Sequence, residues 1–353
     1  MPRDARSHAA IVARLEGKRE SDHTWAVYFR TLIVLACLKA GAAPPANYYV
    51  TAEGKRGTEL RQALHEVIRG HTVIPYSSSS FDTSDALRVL DEDPANTNNV
   101  LLLYARRSEP KATFGAATGW NREHLWPNSY GLDDRHPAYS DLHNLRAEDI
   151  DANAARGNKY FDISATNHAS YLFPGHAEAL QCSTDFDSWD PPHPLRGDIA
   201  RAIFYMDVRY EGGASAEPDL ILTESVQRLS NTTNFMGRLS TLLLWHEIDP
   251  VDGAERSRND KVFMLYQHNR NPFVDRPEWV REIFWPQVTM TAVTNGNVAL
   301  MWSSEFTNAI VQSAGALPSE WLDRGSGMQA PGNVRTFSEV SSGSARLYRL
   351  RLW

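Results

Sequence analysis

Cysteine is almost absent from this chain of 353 residues, which excludes one common way of holding a fold together. Only Cys37 and Cys182 occur, so the protein has no disulfide framework. An apolar run long enough to span a bilayer is also missing. The formal net charge of −7 argues against a broad surface that coats DNA non-specifically, although it is compatible with a local basic cleft. The fold must therefore depend on a packed soluble core.

The N-terminal segment has several features of an export signal. Tyr28-Phe29-Arg30 supplies a positive flank, residues 32–38 are continuously apolar, and Ala40-Gly41-Ala42 is a small-residue cleavage site. Lys39 and the long polar segment before the apolar run are untypical of an export signal, and a true start near Val27 would explain that segment. The alternative is a short buried helix at the edge of a domain. We expect residues 1–43 to be an export signal or N-terminal extension, and the protein to be secreted or periplasmic.

Residues 119–162 contain the groups best suited to chemistry. Glu123 and His124 stand side by side at the end of a predicted strand, and Asn153 follows in a segment of helical spacing that stops at Gly157. Carboxylate and amide oxygens suit Mg²⁺ or Ca²⁺, and a neutral histidine can take a proton from water near pH 7. This combination indicates metal-assisted hydrolysis of a phosphodiester bond.

The spacing of these residues makes a demand on the backbone. Adjacent side chains of a regular strand point to opposite faces, so Glu123 and His124 can serve one site only if the strand bends there. Residues 141–145 predict a second strand, and residues 147–156 predict a helix that presents Asn153. Of the two candidate metal ligands, Glu123 and Asn153, the position of Asn153 is better determined, because the helical periodicity places it directly.

At this point the chain resembles the bacterial endonuclease I family. The resemblance is carried by NREHLWP at 121–127, DLHNLR at 141–146 and N-x-x-RGN at 153–158, and by similar segments at 196–206, 245–252 and 269–273. It runs from about Asn47 to about Trp285. Asn144 stands where a second histidine is common and Ala147 where proline is common, but neither is a residue expected to act in catalysis.

The resemblance implies an α+β fold with a mostly helical nuclease domain at residues 44–285, built around a ββα-metal, or His-Me, finger. It implies that His124 is the general base and that Glu123 and Asn153 hold one divalent cation. We expect Mg²⁺, with Ca²⁺ or Mn²⁺ as alternatives. The implied product carries a 5′-phosphate.

Further residues are candidates for contact with the substrate. Arg156 could act in catalysis by clamping the scissile phosphate through a bidentate contact, and a solvent-exposed salt bridge with a neighbouring acid (Glu148, Asp149 or Asp151) is an equally supported alternative. For Arg146 the salt bridge is the favoured alternative. Asn158 and Arg122 belong to the motifs above, and Arg270 lies in a turn-like Asn-Arg-Asn-Pro segment. We predict that Arg122, Arg146, Asn158 and Arg270 bind the substrate.

The remaining segments build the core. Helical spacing predicts helices at 58–70, 83–90, 197–210, 235–245, 252–267 and 277–285. Composition changes after Trp285, where a hairpin and further short strands separated by Gly and Ser predict a small, sandwich-like all-β domain at residues 286–353. This part is similar in outline to fibronectin-like modules, and a structural role is favoured over surface attachment.

The sequence therefore predicts an exported, metal-dependent, sequence-non-specific endonuclease that is a monomer. DNA is the expected substrate, and RNA is the alternative. A catalytically silent nucleic-acid-binding relative and an adhesive exoprotein are the competing hypotheses. The joint presence of Glu123, His124 and Asn153 argues against the silent relative.

Overall fold

The computed structural model describes residues 43–212, 217–224, 234–293, 297–304, 306, 309–314, 322–330, 334–340 and 347–352. The predicted export signal therefore lies, except for its last residue, outside the described residues. Across these ranges, no helix is long and apolar enough to cross a membrane. The secondary structure is mixed, in agreement with the α+β class.

Eight α-helices occur in the described ranges. They are α1 (Gly57–Ile68), α2 (Thr83–Leu90), α3 (Ile150–Arg156), α4 (His193–Arg209), α5 (Leu239–Ile248), α6 (Gly253–Lys261), α7 (Pro272–Asp275) and α8 (Glu278–Phe284). A π-helical turn, Val262–Tyr266, continues α6, and short 3₁₀ turns occupy Lys111–Thr113 and Pro137–Ser140. The helices predicted from spacing are thus present, with ends that differ by a few residues.

The strands of the first 285 residues are short and form several small sheets. They are β1 (Glu92–Asp93), β2 (Asn96–Leu101), β3 (Ser108–Pro110), β4 (Trp120–His124), β5 (Leu145–Asp149), β6 (Tyr160–Phe161), β7 (Ser183–Thr184), β8 (Ser188–Asp190), β9 (Ile221–Leu222) and β10 (Phe235–Met236). Sheets this small cannot bury a core by themselves, so the helices must supply most of it.

Helix α4 lies at the centre of the helical part. Every side chain at positions 199–209 is buried, so the helix is covered on all sides rather than being amphipathic as its spacing predicts. At Gly197 an added Cβ would lie 2.0 Å from the carbonyl oxygen of Asp249, so only glycine allows this approach. The Gly197 N–H donates to Asp249 Oδ2 at 2.8 Å, which fixes the end of α5 against α4.

The strand and helix of the catalytic motif begin later than their sequence pattern predicts. Strand β5 starts at Leu145 and α3 starts at Ile150, instead of 141 and 147. Asp149 explains the second difference, because its Oδ1 accepts hydrogen bonds from the N–H groups of Asp151 and Ala152, both at 2.9 Å. It therefore caps the helix and ends the strand at one residue.

The C-terminal strands form two sheets. They are β11 (Thr289–Val293), β12 (Asn297–Ser303), β13 (Ile310–Ala314), β14 (Leu322–Gly325), β15 (Met328–Ala330), β16 (Val334–Val340) and β17 (Leu347–Arg351). The orders are β11-β12-β16-β15 and β14-β13-β17, and the antiparallel β11–β12 pair is the hairpin predicted after Trp285, although its turn lies outside the described residues. Leu300, Val311 and Leu350 share a hydrophobic cluster with the helical part, and a separate sandwich-like domain stays a prediction.

Arg270 lies in the core, not at a substrate groove. Its side chain is 2% exposed, and its guanidinium contacts Asp275 through Nε and Nη2 at 2.7 and 2.8 Å and Asp260 through Nη2 at 2.7 Å. The structure therefore argues against the prediction that Arg270 binds the substrate. The fork of an arginine matches the geometry of these two carboxylates, which explains why it turns inward.

We expect Arg270→Ala to lower the free energy of unfolding by about 3 to 5 kcal/mol, because Asp260 and Asp275 would remain buried without their cation. Urea denaturation measures this change. Arg256→Ala is the matched control, since Arg256 is exposed and its loss should change stability by no more than about 0.5 kcal/mol. An Arg270→Ala variant that is as stable as the control but binds nucleic acid weakly would restore the groove assignment.

Candidate active site

A polar cavity of about 440 Å³ lies beside the end of β4. It is lined by Tyr76, Arg122, Glu123, His124, Pro127, Asn128, Ser129, Asn153, Ala154, Gly157 and Asn158. A cavity of about 500 Å³ near Trp285 has no titratable side chain in its lining and is a poorer candidate for chemistry. The polar cavity thus brings together Glu123, His124, Asn153, Arg122 and Asn158, while Arg146, Arg156 and Arg270 do not line it.

Glu123 and His124 reach the same cavity without a bend in the strand. The antiparallel pairing of β4 with β5 runs in regular register from Trp120↔Asp149 to His124↔Leu145. The two side chains contact different neighbours, as expected for opposite faces of a strand. They can share the cavity because β4 ends at His124, so the cavity extends across the end of the strand.

Glu123 is held by two donors inside the protein. It is 2% exposed, and its Oε1 accepts hydrogen bonds from the Tyr104 hydroxyl at 2.7 Å and from Arg156 Nη1 at 3.0 Å. Burial raises the pKa of Glu123, and the Arg156 charge opposes that rise. Because both donors bind Oε1, they fix the orientation of the Glu123 carboxylate at the wall of the cavity.

Arg156 is a buried positioning group. It is 1% exposed, and besides Glu123 its guanidinium donates to the carbonyls of His124 at 2.8 Å and Leu125 at 2.7 Å. The guanidinium also lies 4.5 Å from the centre of the Phe161 ring. The structure therefore supports neither of the sequence-based alternatives for Arg156: it is neither placed to clamp a phosphate nor paired with an acid at the surface.

Asn153 and Arg156 together fasten α3 to β4. Asn153 Nδ2 donates to Asn121 Oδ1 at 2.7 Å and to the Arg122 carbonyl at 3.2 Å. Arg156 donates a hydrogen bond to the His124 carbonyl. The carbonyls of Arg122 and His124 point to the same edge of the strand because the two residues are two positions apart. Asn153 and Arg156 lie on the same face of the helix because they are three positions apart, so one helix face can reach both carbonyls. Because Nδ2 of Asn153 is engaged, its amide oxygen is the atom left to face a ligand.

The tautomer of His124 follows from the hydrogen bond that its ring makes with Tyr139. Nε2 lies 2.8 Å from the carbonyl oxygen of Tyr139, and a carbonyl only accepts, so Nε2 carries the proton of the neutral ring. Nδ1 is then the basic nitrogen. The pKa of His124 is lowered to about 4, mainly by burial; the hydrogen bond to Tyr139 opposes this shift, and the positive charges of Arg122 and Arg156 add to it. His124 is therefore neutral at pH 7.

The remaining predicted contacts divide between the cavity and the interior. Arg122 lines the cavity, yet its Nη1 donates to the Tyr76 carbonyl and, at 2.9 Å, to Thr83 Oγ1. Asn158 also lines the cavity. Arg146 donates to the backbone carbonyls of His143 and Leu145, and burial lowers its pKa to about 10. The structure therefore argues against a substrate contact for Arg146.

Sequence patterns missed the aromatic residues around the histidine. Tyr76 and Tyr139 pack against the His124 ring, with ring centres 5.6 and 4.9 Å away, and Tyr104 bonds Glu123. None of the three belongs to a motif, and tyrosines outside a motif do not differ from core residues in a single sequence. Only the fold could reveal them.

The residues at the cavity fit a hard cation with few protein ligands. Glu123 offers a carboxylate and Asn153 an amide oxygen, which suit Mg²⁺ or Ca²⁺ better than a soft metal. Among the described residues no group of three or more His, Cys, Asp or Glu is arranged to hold a metal. A small protein donor set agrees with Mg²⁺, which keeps several waters and binds substrate phosphate.

Comparison with known proteins agrees with the resemblance seen in the motifs. The family model for Endonuclease I matches residues 56–278. The extracellular ribonuclease of Bacillus amyloliquefaciens is 44% identical over 245 residues, which cover 69% of this chain and 80% of that protein. The extracellular ribonuclease of Bacillus subtilis (strain 168) is 44% identical over 257 residues, which cover 71% of this chain and 84% of that protein. The family match contains the whole cavity lining.

We expect Arg156→Ala to weaken catalysis by about 10- to 100-fold, because Glu123 and the end of β4 lose their common anchor. The salt dependence of nucleic-acid binding by this variant should be unchanged. The slope of log binding constant against log salt concentration, measured with a labelled oligonucleotide in EDTA, should equal that of the wild type. Arg156→Lys keeps the positive charge without the forked guanidinium, and its rate should lie between those of the wild type and Arg156→Ala. A slope reduced by about 1 in Arg156→Ala would instead indicate a phosphate contact.

Proposed function

The chain belongs to the endonuclease I family, and on that premise we propose that it is a secreted, metal-dependent endonuclease without sequence specificity. The observation that carries the proposal is the convergence of Glu123, His124 and Asn153 on one polar cavity. Secretion is supported by the relatives, which are named extracellular ribonucleases. We further propose that β4, β5 and α3 form a His-Me finger and that residues 286–353 are an appended β module.

In the proposed reaction His124 is the general base. Its Nδ1 takes a proton from the attacking water, and the Tyr139 carbonyl keeps Nε2–H in place and stabilises the imidazolium that forms. A histidine that is neutral at pH 7 begins the reaction in the state that can accept a proton. The buried setting also keeps the ring in one orientation, so little reorganisation is needed.

Glu123 and Asn153 are the residues that would hold one divalent cation, with Mg²⁺ preferred. When bound, the cation neutralises charge on the phosphoryl oxygens and helps the 3′ oxygen to leave. Arg156 keeps Glu123 in place, and Arg122 adds a positive charge to the cavity wall. Attack by water with departure of the 3′ oxygen leaves a 5′-phosphate.

The sugar is not part of this mechanism. The nucleophile is water activated by His124, so the 2′-hydroxyl of RNA has no required role in bond cleavage. We therefore propose that the protein cleaves both RNA and DNA. The names of the relatives support RNA as a substrate, and the chemistry of the site extends it to DNA.

We expect His124→Ala to slow cleavage of RNA and DNA by about 10²- to 10⁴-fold, because the general base is lost. Initial rates on labelled oligonucleotides with Mg²⁺ measure this effect, and EDTA should abolish wild-type activity. His168→Ala is a suitable control, since His168 is exposed and does not line the cavity. A wild type that cuts neither polymer with Mg²⁺, Mn²⁺ or Ca²⁺ would contradict the proposal.

We expect RNA and DNA strands of one sequence to be cut at rates within about tenfold of each other, since no step uses the 2′-hydroxyl and only substrate positioning should differ. End analysis of the products should find 5′-phosphates on both. Cleavage confined to RNA, with 2′,3′-cyclic phosphate products, would show that the 2′-hydroxyl and not water is the nucleophile.

A further inference from the structure

Tyr76 lies in the loop between α1 and α2, outside every motif, and is tied to the strand that carries the histidine. Its carbonyl oxygen accepts hydrogen bonds from Arg122 Nη1 and, at 3.0 Å, from Thr83 Oγ1. The Thr83 N–H in turn donates to the carbonyl of Pro75 at 3.0 Å. The first turn of α2 and a side chain of β4 therefore fix the backbone position of Tyr76.

The ring of Tyr76 contacts the two residues of β4 that face it. Arg122 and His124 are two positions apart on the strand and so project to the same face. The guanidinium carbon of Arg122 lies 3.7 Å from the centre of the Tyr76 ring. The His124 imidazole is stacked on the same tyrosine, with ring centres 5.6 Å apart and planes inclined by 19°.

These contacts complete the constraint on the imidazole. The hydrogen bond from Nε2 to the Tyr139 carbonyl fixes one atom of His124, but the ring can still swivel about that bond. The near-parallel Tyr76 ring beside it restricts that rotation and so favours one position for Nδ1. Tyr76 itself packs against Tyr139, with ring centres 4.5 Å apart, so the three rings support each other.

We propose that Tyr76 is a positioning residue for the reaction: its ring fixes the plane of the His124 imidazole and holds Arg122 at the cavity wall. This inference rests on the proposed function. Tyr76 takes no proton and replaces no ligand, so its effect is on orientation. Misplacement of a catalytic group by about 1 Å can cost about 100-fold in rate, which makes such a residue measurable.

The experiment compares Tyr76→Phe with Tyr76→Leu. Tyr76→Phe keeps the flat aromatic ring, so we expect its kcat to be within about threefold of the wild type. Tyr76→Leu keeps an apolar side chain but has no aromatic face, so we expect its kcat to fall about 10- to 100-fold. KM should change less than kcat, because the substrate still enters the same cavity. Tyr171→Leu is the control, since Tyr171 is also half-buried but does not line the cavity.

A second readout needs no activity. In EDTA, the imidazole proton signals of His124, identified by their loss in His124→Ala, should shift in Tyr76→Leu and stay nearly in place in Tyr76→Phe, because the ring current is lost only in the first. If Tyr76→Leu does not fold, Tyr76→Met carries the same comparison.

The outcomes separate this inference from the proposed function. A wild type that cleaves no nucleic acid overturns the proposed function, and the role of Tyr76 falls with it. A wild type that cleaves, beside a folded Tyr76→Leu of equal kcat or unshifted His124 signals, overturns only the role of Tyr76. Loss of activity in Tyr76→Phe as severe as in Tyr76→Leu also overturns it, since the hydroxyl and not the ring would then matter.

Discussion

The candidate site depends on the attachment of α3 to the end of β4. Asn153 donates a hydrogen bond to the carbonyl of Arg122. Arg156 donates to the carbonyl of His124 and to the carboxylate of Glu123. The strand end, the carboxylate and the amide are thus held by one short helix, which Asp149 caps at its start. If this attachment were lost, Asn153 on α3 could move away from Glu123 and His124 on β4, so the histidine and both proposed ligands depend on the same contacts.

The same attachment determines the electrostatics of the cavity. Glu123 is buried, and Arg156 balances its charge at 3.0 Å. The proposed ligand pair then contributes almost no net charge, because Asn153 is neutral. A divalent cation held there would keep most of its positive charge for a phosphate, which is what stabilisation of a phosphodiester transition state requires. A second carboxylate ligand would weaken that field.

The sequence predicted most helices and the residues of the motif, because apolar periodicity and motif identity are local properties. It did not predict the role of Arg156 or Arg270, since an arginine that binds phosphate and one that binds a buried carboxylate look alike in a single sequence. The predicted bend between Glu123 and His124 was not needed, because the rule of opposite faces does not keep two side chains apart at the very end of a strand, and β4 ends at His124. Tyr76 could not be predicted, because its contact with β4 joins residues distant in the chain.

Several arginines of this acidic protein lie in its interior rather than at its surface. Arg156, Arg201 and Arg209 are fully buried, so much of the positive charge is used to hold the interior together in a fold whose only described cysteine, Cys182, is free. Among the residues that line the candidate cavity, Arg122 is the single cationic side chain. The formal charge of −7 is therefore compatible with the proposed binding of nucleic acid at this cavity, because attraction there would depend on one positioned guanidinium and the proposed cation rather than on the net charge of the surface.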